Sequence, residues 1–327
     1  MAPIITLLTP DRFGAAAIAV SPDGTSLAVA PGGASAGGGN TVHVYDTTTW
    51  QERFTVSQHW SRSQASINAV VFSPNGAFLT TGGRETRGVF SPTSRAIIQN
   101  WKSDSAVKLN WVTWSERHSD VVSSLAYSPD GHRLAVCCFD STTVDVRLAT
   151  QSTNIFRVAH GDTVEDAAFS RDRRWLATAS VDRTARICDA RTGQQRFLLE
   201  HEHFVRGVAF SPNSRLLATA STPIYVWNVL TGEELHRLWT ERELHDDLVS
   251  GVAFSPDDRW LAAAGPGATV RLWDPRTGAQ LAKITYGSVA RRVVFDPGGR
   301  WLVSSTDDGG VPVWRLYPDT RRQAATP

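Results

Sequence analysis

Seven times along the chain an apolar segment runs into a Ser-Pro-Asp-Gly-type turn and out into a second apolar segment. The copies are AAIAVSPDGTSLAVA (16–30), INAVVFSPNGAFLTTG (67–82), VSSLAYSPDGHRLAVC (122–137), VEDAAFSRDRRWLATA (164–179), VRGVAFSPNSRLLATA (205–220), VSGVAFSPDDRWLAAA (249–264) and ARRVVFDPGGRWLVSS (290–305). The last five start about 41–44 residues apart, a period that belongs to stacked or circular arrays. Pro presets one turn dihedral and Gly accepts positive φ, so each copy reads as a β-hairpin. A third apolar run follows each hairpin: 41–46, 96–104, 143–149, 184–190, 224–229, 269–274 and 311–316. A fourth, less regular run, such as QRFLLEHE (195–202), leads into the next copy. Four strands per unit make a small twisted sheet, and seven such sheets can pack face to face around an axis.

Composition agrees with a large core: of 327 residues 41% are hydrophobic and twelve are Trp. Lys+Arg 33 against Asp+Glu 32 leaves a net charge of +1, so no summed field favours nucleic acid or a membrane surface, and neither is expected as a partner. Only Lys102, Lys108 and Lys283 are lysines. That arginine bias is expected to reflect a GC-rich bacterial genome rather than a binding role. Cys137, Cys138 and Cys188 are an odd set in apolar runs with neither zinc nor disulfide spacing, which places the chain in a reducing compartment, the cytoplasm. The start MAPIITLLTPDRFG lacks the basic opening and long apolar core of a signal peptide. Nor is there an apolar run of about 18 residues to cross a membrane.

Two further motifs sharpen the reading. TVRLWDPRTG (269–278) ends a third run in Trp-Asp, and a His stands four residues before the first apolar anchor at His118, His160, His201 and His245. With the FSPDG-like turns these resemble the WD-repeat (WD40) family over nearly the whole chain. The resemblance implies an all-β, seven-bladed propeller of four-stranded antiparallel blades occupying 1–327 as one domain. Its repeats are anchored near 16–46, 67–104, 122–149, 164–190, 205–229, 249–274 and 290–316. The last copy stops after its third run, so the strand-like 4–8 is expected to supply the missing outer strand, closing a complete ring ahead of the polar tail 317–327.

In that family a His, a Ser or Thr ending the second strand, a turn Asp and a third-strand Trp form a buried hydrogen-bond network. Carried over, the network would use His160, Ser180 and Asp182 in the fourth copy, and His118 and Asp140 in the third. The fifth copy would contribute His201, Ser221 and Trp227, the sixth His245 and Trp273, the seventh Thr306, Asp308 and Trp314. No copy holds all four: Cys188 and Arg147 stand where Trp is expected, Gly265 and Gly267 replace the polar pair, and Tyr286 replaces His. The fourth blade, without its indole, is expected to be tied less tightly. Trp175, Trp260 and Trp301 share one second-strand position and read as interblade packing.

Function is expected on the face opposite the Pro-Asp-Gly turns, the top. Segments 31–40, 57–66 and 82–94 exceed what their repeats need and read as long top-face loops, where binding residues tend to sit. Trp60, Arg62, Arg84, Arg87 and Phe90 supply the aromatic and Arg types enriched at interfaces. The structural alternative is a floppy Gly-rich spacer with Trp60 packed on its own blade. A second candidate is the mouth of the central channel, ringed by Asn68, Ser123, Glu165, Arg206, Ser250 and Arg291 with His203 and Phe204 nearby. Ala126, Ala168, Ala209 and Ala253 would line a narrow apolar channel below.

Chemistry motifs are scarce. There is no nucleophile elbow, phosphate loop, paired-His metal helix or calcium loop, and HEH (201–203) leaves only His203 outside the network, so neither a metal nor a cofactor is expected. The favoured reading is therefore a non-enzymatic monomeric scaffold holding a protein or peptide on its top face. The alternative is an enzyme or binder of a small anionic molecule at the mouth, using Glu165, His203, Arg206 and Arg291.

Overall fold

Alternating apolar positions punctuated by turn residues give 28 strands among the described residues, paired into seven four-stranded antiparallel sheets. The structure is a computed structural model and describes residues 3–8, 15–31, 39–57, 63–87, 93–113, 121–139, 141–151, 153–238, 249–265 and 268–316. The fourth blade shows the plan, with Val164–Phe169 innermost, then Trp175–Ser180, Thr184–Asp189 and Gln195–Glu200 at the rim. The seventh blade departs from it as expected. Ala290–Phe295, Trp301–Thr306 and Gly310–Arg315 take their fourth strand from Ile5–Leu8, with Ile5 opposite Val313 and Leu8 opposite Gly310.

The core consists of seven apolar clusters, each lying between two successive blades. The period of two along a strand explains this division. In the fourth blade Leu176 and Cys188 face the third, while Ala177, Ala179, Ala185 and Ile187 face the fifth. Trp175, Trp260 and Trp301 join these interblade clusters, and Trp301 meets Trp50 of the first blade edge-on at 5.4 Å between ring centroids.

Every bottom hairpin turn places its fourth residue at positive φ. Gly24, Gly76, Gly131 and Gly299 fill that position in four copies, whereas Arg173 (65°), Ser214 (59°) and Asp258 (60°) fill it in the others. Such a backbone costs an ordinary residue roughly 1–2 kcal/mol. Ser214 and Asp258 offset that cost by accepting hydrogen bonds from the preceding blade's turn, Asp172 N–H at 3.1 Å and Asn213 N–H at 3.3 Å. Arg173 makes no hydrogen bond of this kind.

The second blade corrects the expectation of long loops. Residues 63–66, 82–87 and 93–94 belong to three ten-residue strands, Ser63–Phe72, Phe78–Arg87 and Thr93–Lys102, which continue the sheet beyond its neighbours at the top. Gly82 and Gly83 permit a close backbone approach at its base, opposite the register shift between Ile67 and Ala69. A Cβ on Gly83 would lie 1.7 Å from Ser66 O, and one on Gly82 would lie 2.6 Å from the Val122 side chain.

The closing strand depends on Leu7, which is 7% exposed and packs in the cluster between the seventh and first blades. Leu7→Ala is expected to cost about 2–3 kcal/mol, read as a lower urea midpoint.

Candidate functional site

The mouth of the channel is built by a repeated irregularity. The inner strands of blades two, three, four and seven carry a register shift that leaves Asn68, Ser123, Glu165 and Arg291 as the extra residue against the neighbouring strand. A bulge of this kind re-aims a side chain that regular pleating would send between blades. Arg206 and Ser250 hold the same place just ahead of the shorter strands Gly207–Phe210 and Gly251–Phe254. His203 and Phe204 stand exposed beside the ring.

Three of these residues hold buried polar atoms with no hydrogen-bond partner among the described residues: Asn68 Oδ1, Ser123 Oγ and Arg206 Nε. Ser123 is 6% exposed, so its hydroxyl is both enclosed and unanswered. Burial pushes the Glu165 carboxyl above its ordinary range, while the Arg206 and Arg292 guanidiniums pull it part of the way back. Arg291 is answered locally, its guanidinium gripping Asp307 at 2.5 and 3.0 Å.

Below the mouth lies a cavity of about 290 Å³, and it corrects the expectation of an apolar channel. Ala17, Ile18, Val70 and Val293 line it, but so do Ser124, Asp166 and Arg292. Asp166 Oδ1 accepts from Ser124 Oγ at 2.6 Å, Oδ2 accepts from Val208 N–H at 3.1 Å, and Arg292 Nη1 stands 3.6 Å away. This one carboxylate ties blades three, four, five and seven across the axis. It was missed because Asp166 reads from sequence as an ordinary strand residue; the departure from the small residues Ala17, Ala69, Ser124, Gly207 and Gly251 at its repeat position was the available signal. Ala126, Ala168, Ala209 and Ala253 pack against the interblade clusters.

Among the predicted loop residues, Trp60, Arg62 and Phe90 lie outside the described residues, as does the side chain of Arg87. Arg84 is a strand residue opposite Ser66 and Ala96, half-buried in the second-blade extension.

The buried network forms, shifted by two residues from its expected place. His160 Nδ1–H donates to Asp182 Oδ2 at 3.1 Å while Nε2 accepts from Thr178 Oγ1 at 2.7 Å. Ser180 instead donates to Asp162 O and Thr163 O, holding the loop. In the fifth blade His201 Nδ1–H donates to Leu199 O at 3.0 Å, and Thr219 Oγ1 binds His201 Nε2 at 2.8 Å and accepts Trp227 Nε1–H at 3.1 Å. Ser221 only donates to His203 O at 3.3 Å. The expected register was wrong because the outer Ser lies at the strand's end, whereas the inner Thr shares the interior face with the Trp. The second blade holds an unexpected pair of the same kind, Trp101 Nε1–H donating to Thr81 Oγ1 at 3.1 Å. In the fourth blade Cys188 is buried where the indole would be, so Thr178 lacks that donor. In the seventh, Thr306 and Asp308 bond at 2.5 Å, Tyr286 packs edge-on against Trp314, and Trp314 Nε1 has no partner among the described residues. Trp273 is buried between blades five and six. His118, Asp140 and His245 lie outside the described residues.

A model of the WD domain, G-beta repeat, matches residues 50–87, 112–144, 151–189, 193–222, 237–274 and 283–315. The chain belongs to the WD40 family. The WD40 repeat in sequence is offset from the blade in space: the match at 151–189 begins with the outer strand of blade three and ends with the third strand of blade four. Among relatives, a chromatin assembly factor 1 subunit FAS2 homolog of Oryza sativa subsp. japonica is 30% identical over 51% of this chain and 34% of its own length. Telomerase protein component 1 of Mus musculus is 26% identical over 82% of this chain and 10% of its own. The chain spans about a third or less of the curated relatives it matches. A chain in the crystal structure of a mitotic checkpoint complex shares the fold, with a TM-score of 0.80 at 20% identity over 97% of this chain and 92% of that one.

Two predictions follow from the WD40 network. Thr219→Val strands the Trp227 N–H and the His201 ring together and is expected to cost about 2 kcal/mol, whereas Ser221→Ala costs well under half of that in the same urea titration. Burial holds His160 and His201 down to about 4 from 6.5, outweighing Asp182 beside His160. The unfolded chain therefore takes up protons that the fold refuses as pH falls from 6.5 to 4. Stability is expected to decline through that window by about 3 kcal/mol per histidine, and His201→Gln to make the decline shallower.

Proposed function

We propose that the protein is a rigid, non-enzymatic platform that holds a peptide segment of a partner protein on its top face, over the channel mouth and against the second-blade extension. The observation that carries this reading is the ring of mouth residues with enclosed, unanswered polar atoms at Asn68, Ser123 and Arg206. A bound peptide offers carbonyls and N–H groups in the mixture those atoms need. The extension rises directly from Asn68, so one ligand can span both. Charge at the mouth is of both signs, Glu165 lying in the field of Arg206 and Arg292 and Arg291 gripping Asp307, which suits a polar partner of mixed sign. Relatives described as subunits of a chromatin assembly factor support work within protein complexes.

A second reading, a small-molecule site at the mouth, is favoured by the raised Glu165 carboxyl. One experiment separates the two. Wild type and a triple variant, Arg84→Ala, Arg206→Ala and Arg291→Ala, are used to capture partners from lysate of the source cells, with melting curves to show that the variant is folded. A protein held by the wild type and weakened roughly tenfold or more in the variant supports the platform. No captured protein, together with a small carboxylate that raises the melting temperature of the wild type alone, supports the second reading.

A further inference from the structure

One bottom turn breaks the pattern that its six counterparts keep. Pro22, Pro74, Pro129, Pro212, Pro256 and Pro297 open the others, and Arg171 stands in their place in the fourth blade. Two residues on, Arg173 takes the left-handed position that Gly fills in four copies, without the hydrogen bond that Ser214 and Asp258 make there. A sequence that gives up both turn residues for arginine sets local turn chemistry aside for surface charge.

Neighbouring arginines extend the patch. Arg174 and Arg196 line a cavity of about 420 Å³ together with Trp175, Leu230 and Asp189. Arg191 follows Ala190, whose N–H donates to Arg174 O at 2.9 Å, and Arg215 follows Ser214, which binds the Asp172 N–H. All six arginines are exposed, and none lies within ion-pair distance of a described carboxylate. Against them stand Asp130, Asp172, Asp189, Asp258 and Glu233, the four aspartates each fastened to turn hydroxyls or amides. On a chain of net charge +1 this is a segregated positive region.

The geometry points to a second docking surface, on the bottom of blades four and five, for an acidic peptide segment carrying aliphatic side chains. Charge complementarity sets its sign. The apolar part follows from Leu230, 57% exposed at the cavity's edge. Nucleic acid fits less well, because the rings that could stack a base are covered, Trp175 by Arg174 at 5.5 Å and Phe197 by Arg196 at 5.2 Å. This surface faces away from the mouth and does not rest on the top-face reading.

The test restores the repeat's own turn. Arg171→Pro with Arg173→Gly removes two charges while relieving the left-handed backbone, so its melting temperature is expected to equal or exceed the wild type's. Fluorescence anisotropy is read with a labelled peptide of alternating glutamate and leucine, one of glutamate alone, and an oligothymidine of matching length. Wild type is expected to bind the mixed peptide most tightly, and the variant about tenfold more weakly. Binding unchanged in the variant, oligothymidine bound as tightly as the mixed peptide, or no peptide binding by the wild type would each overturn the proposal. Should the double variant melt early, Arg174→Gln with Arg196→Gln, which leave the turn intact, carry the same comparison.

Discussion

Everything in this molecule depends on blades that are apolar on both faces. A four-stranded sheet with Leu176 on one side and Ile187 on the other has no solvent face to spare, so each blade is stable only between two others, and the ring is stable only when closed. The backbone pairing of Ile5–Leu8 with Gly310–Arg315 therefore matters beyond its four residue pairs. It converts a row of blades, with an unsatisfied sheet face at each end, into a ring that has none.

That rigidity is what allows polar groups to be held unanswered at the mouth. A buried hydroxyl such as that of Ser123 would find a partner if its strand could relax, and the bulges keep it from doing so. The Asp166 carboxylate works the other way, drawing Ser124, Val208 and Arg292 together from three other blades and fixing the width of the channel just below. The mouth and the tie beneath it thus use neighbouring residues of the same inner strand, separated by a single step along the chain from Glu165 to Asp166.

The fold was legible because each repeat states it independently. Apolar alternation, Pro-containing turns and a spare strand at the start of the chain all specify the same ring, and a mistake in one copy is corrected by the others. The site was less legible because it depends on departures from the repeat. Ser180 and Ser221 looked right by position, yet Thr178 and Thr219 carry the bonds, since only they share an interior face with the histidine. Residues 82–87 looked like loop because they exceed the length their repeat needs, whereas here Gly82 and Gly83 permit a close crossing of backbones within a long strand. Bulges leave no mark in composition, so the ring at the mouth could be placed from the repeat register, but neither its enclosure nor the cross-channel carboxylate could be read.

The closing pair also sets how the ring bears load. Ile4 and Leu316 border the same bottom cavity, one preceding the first strand and the other following the last. Tension applied between those two points would peel the pair from its bottom end, from Ile5 and Val313 toward Leu8 and Gly310, breaking its backbone bonds one after another. A pull delivered through a ligand at the mouth is instead shared by inner strands joined across the axis. The same ring is mechanically weak when drawn at its closing strand pair and strong when drawn from its centre.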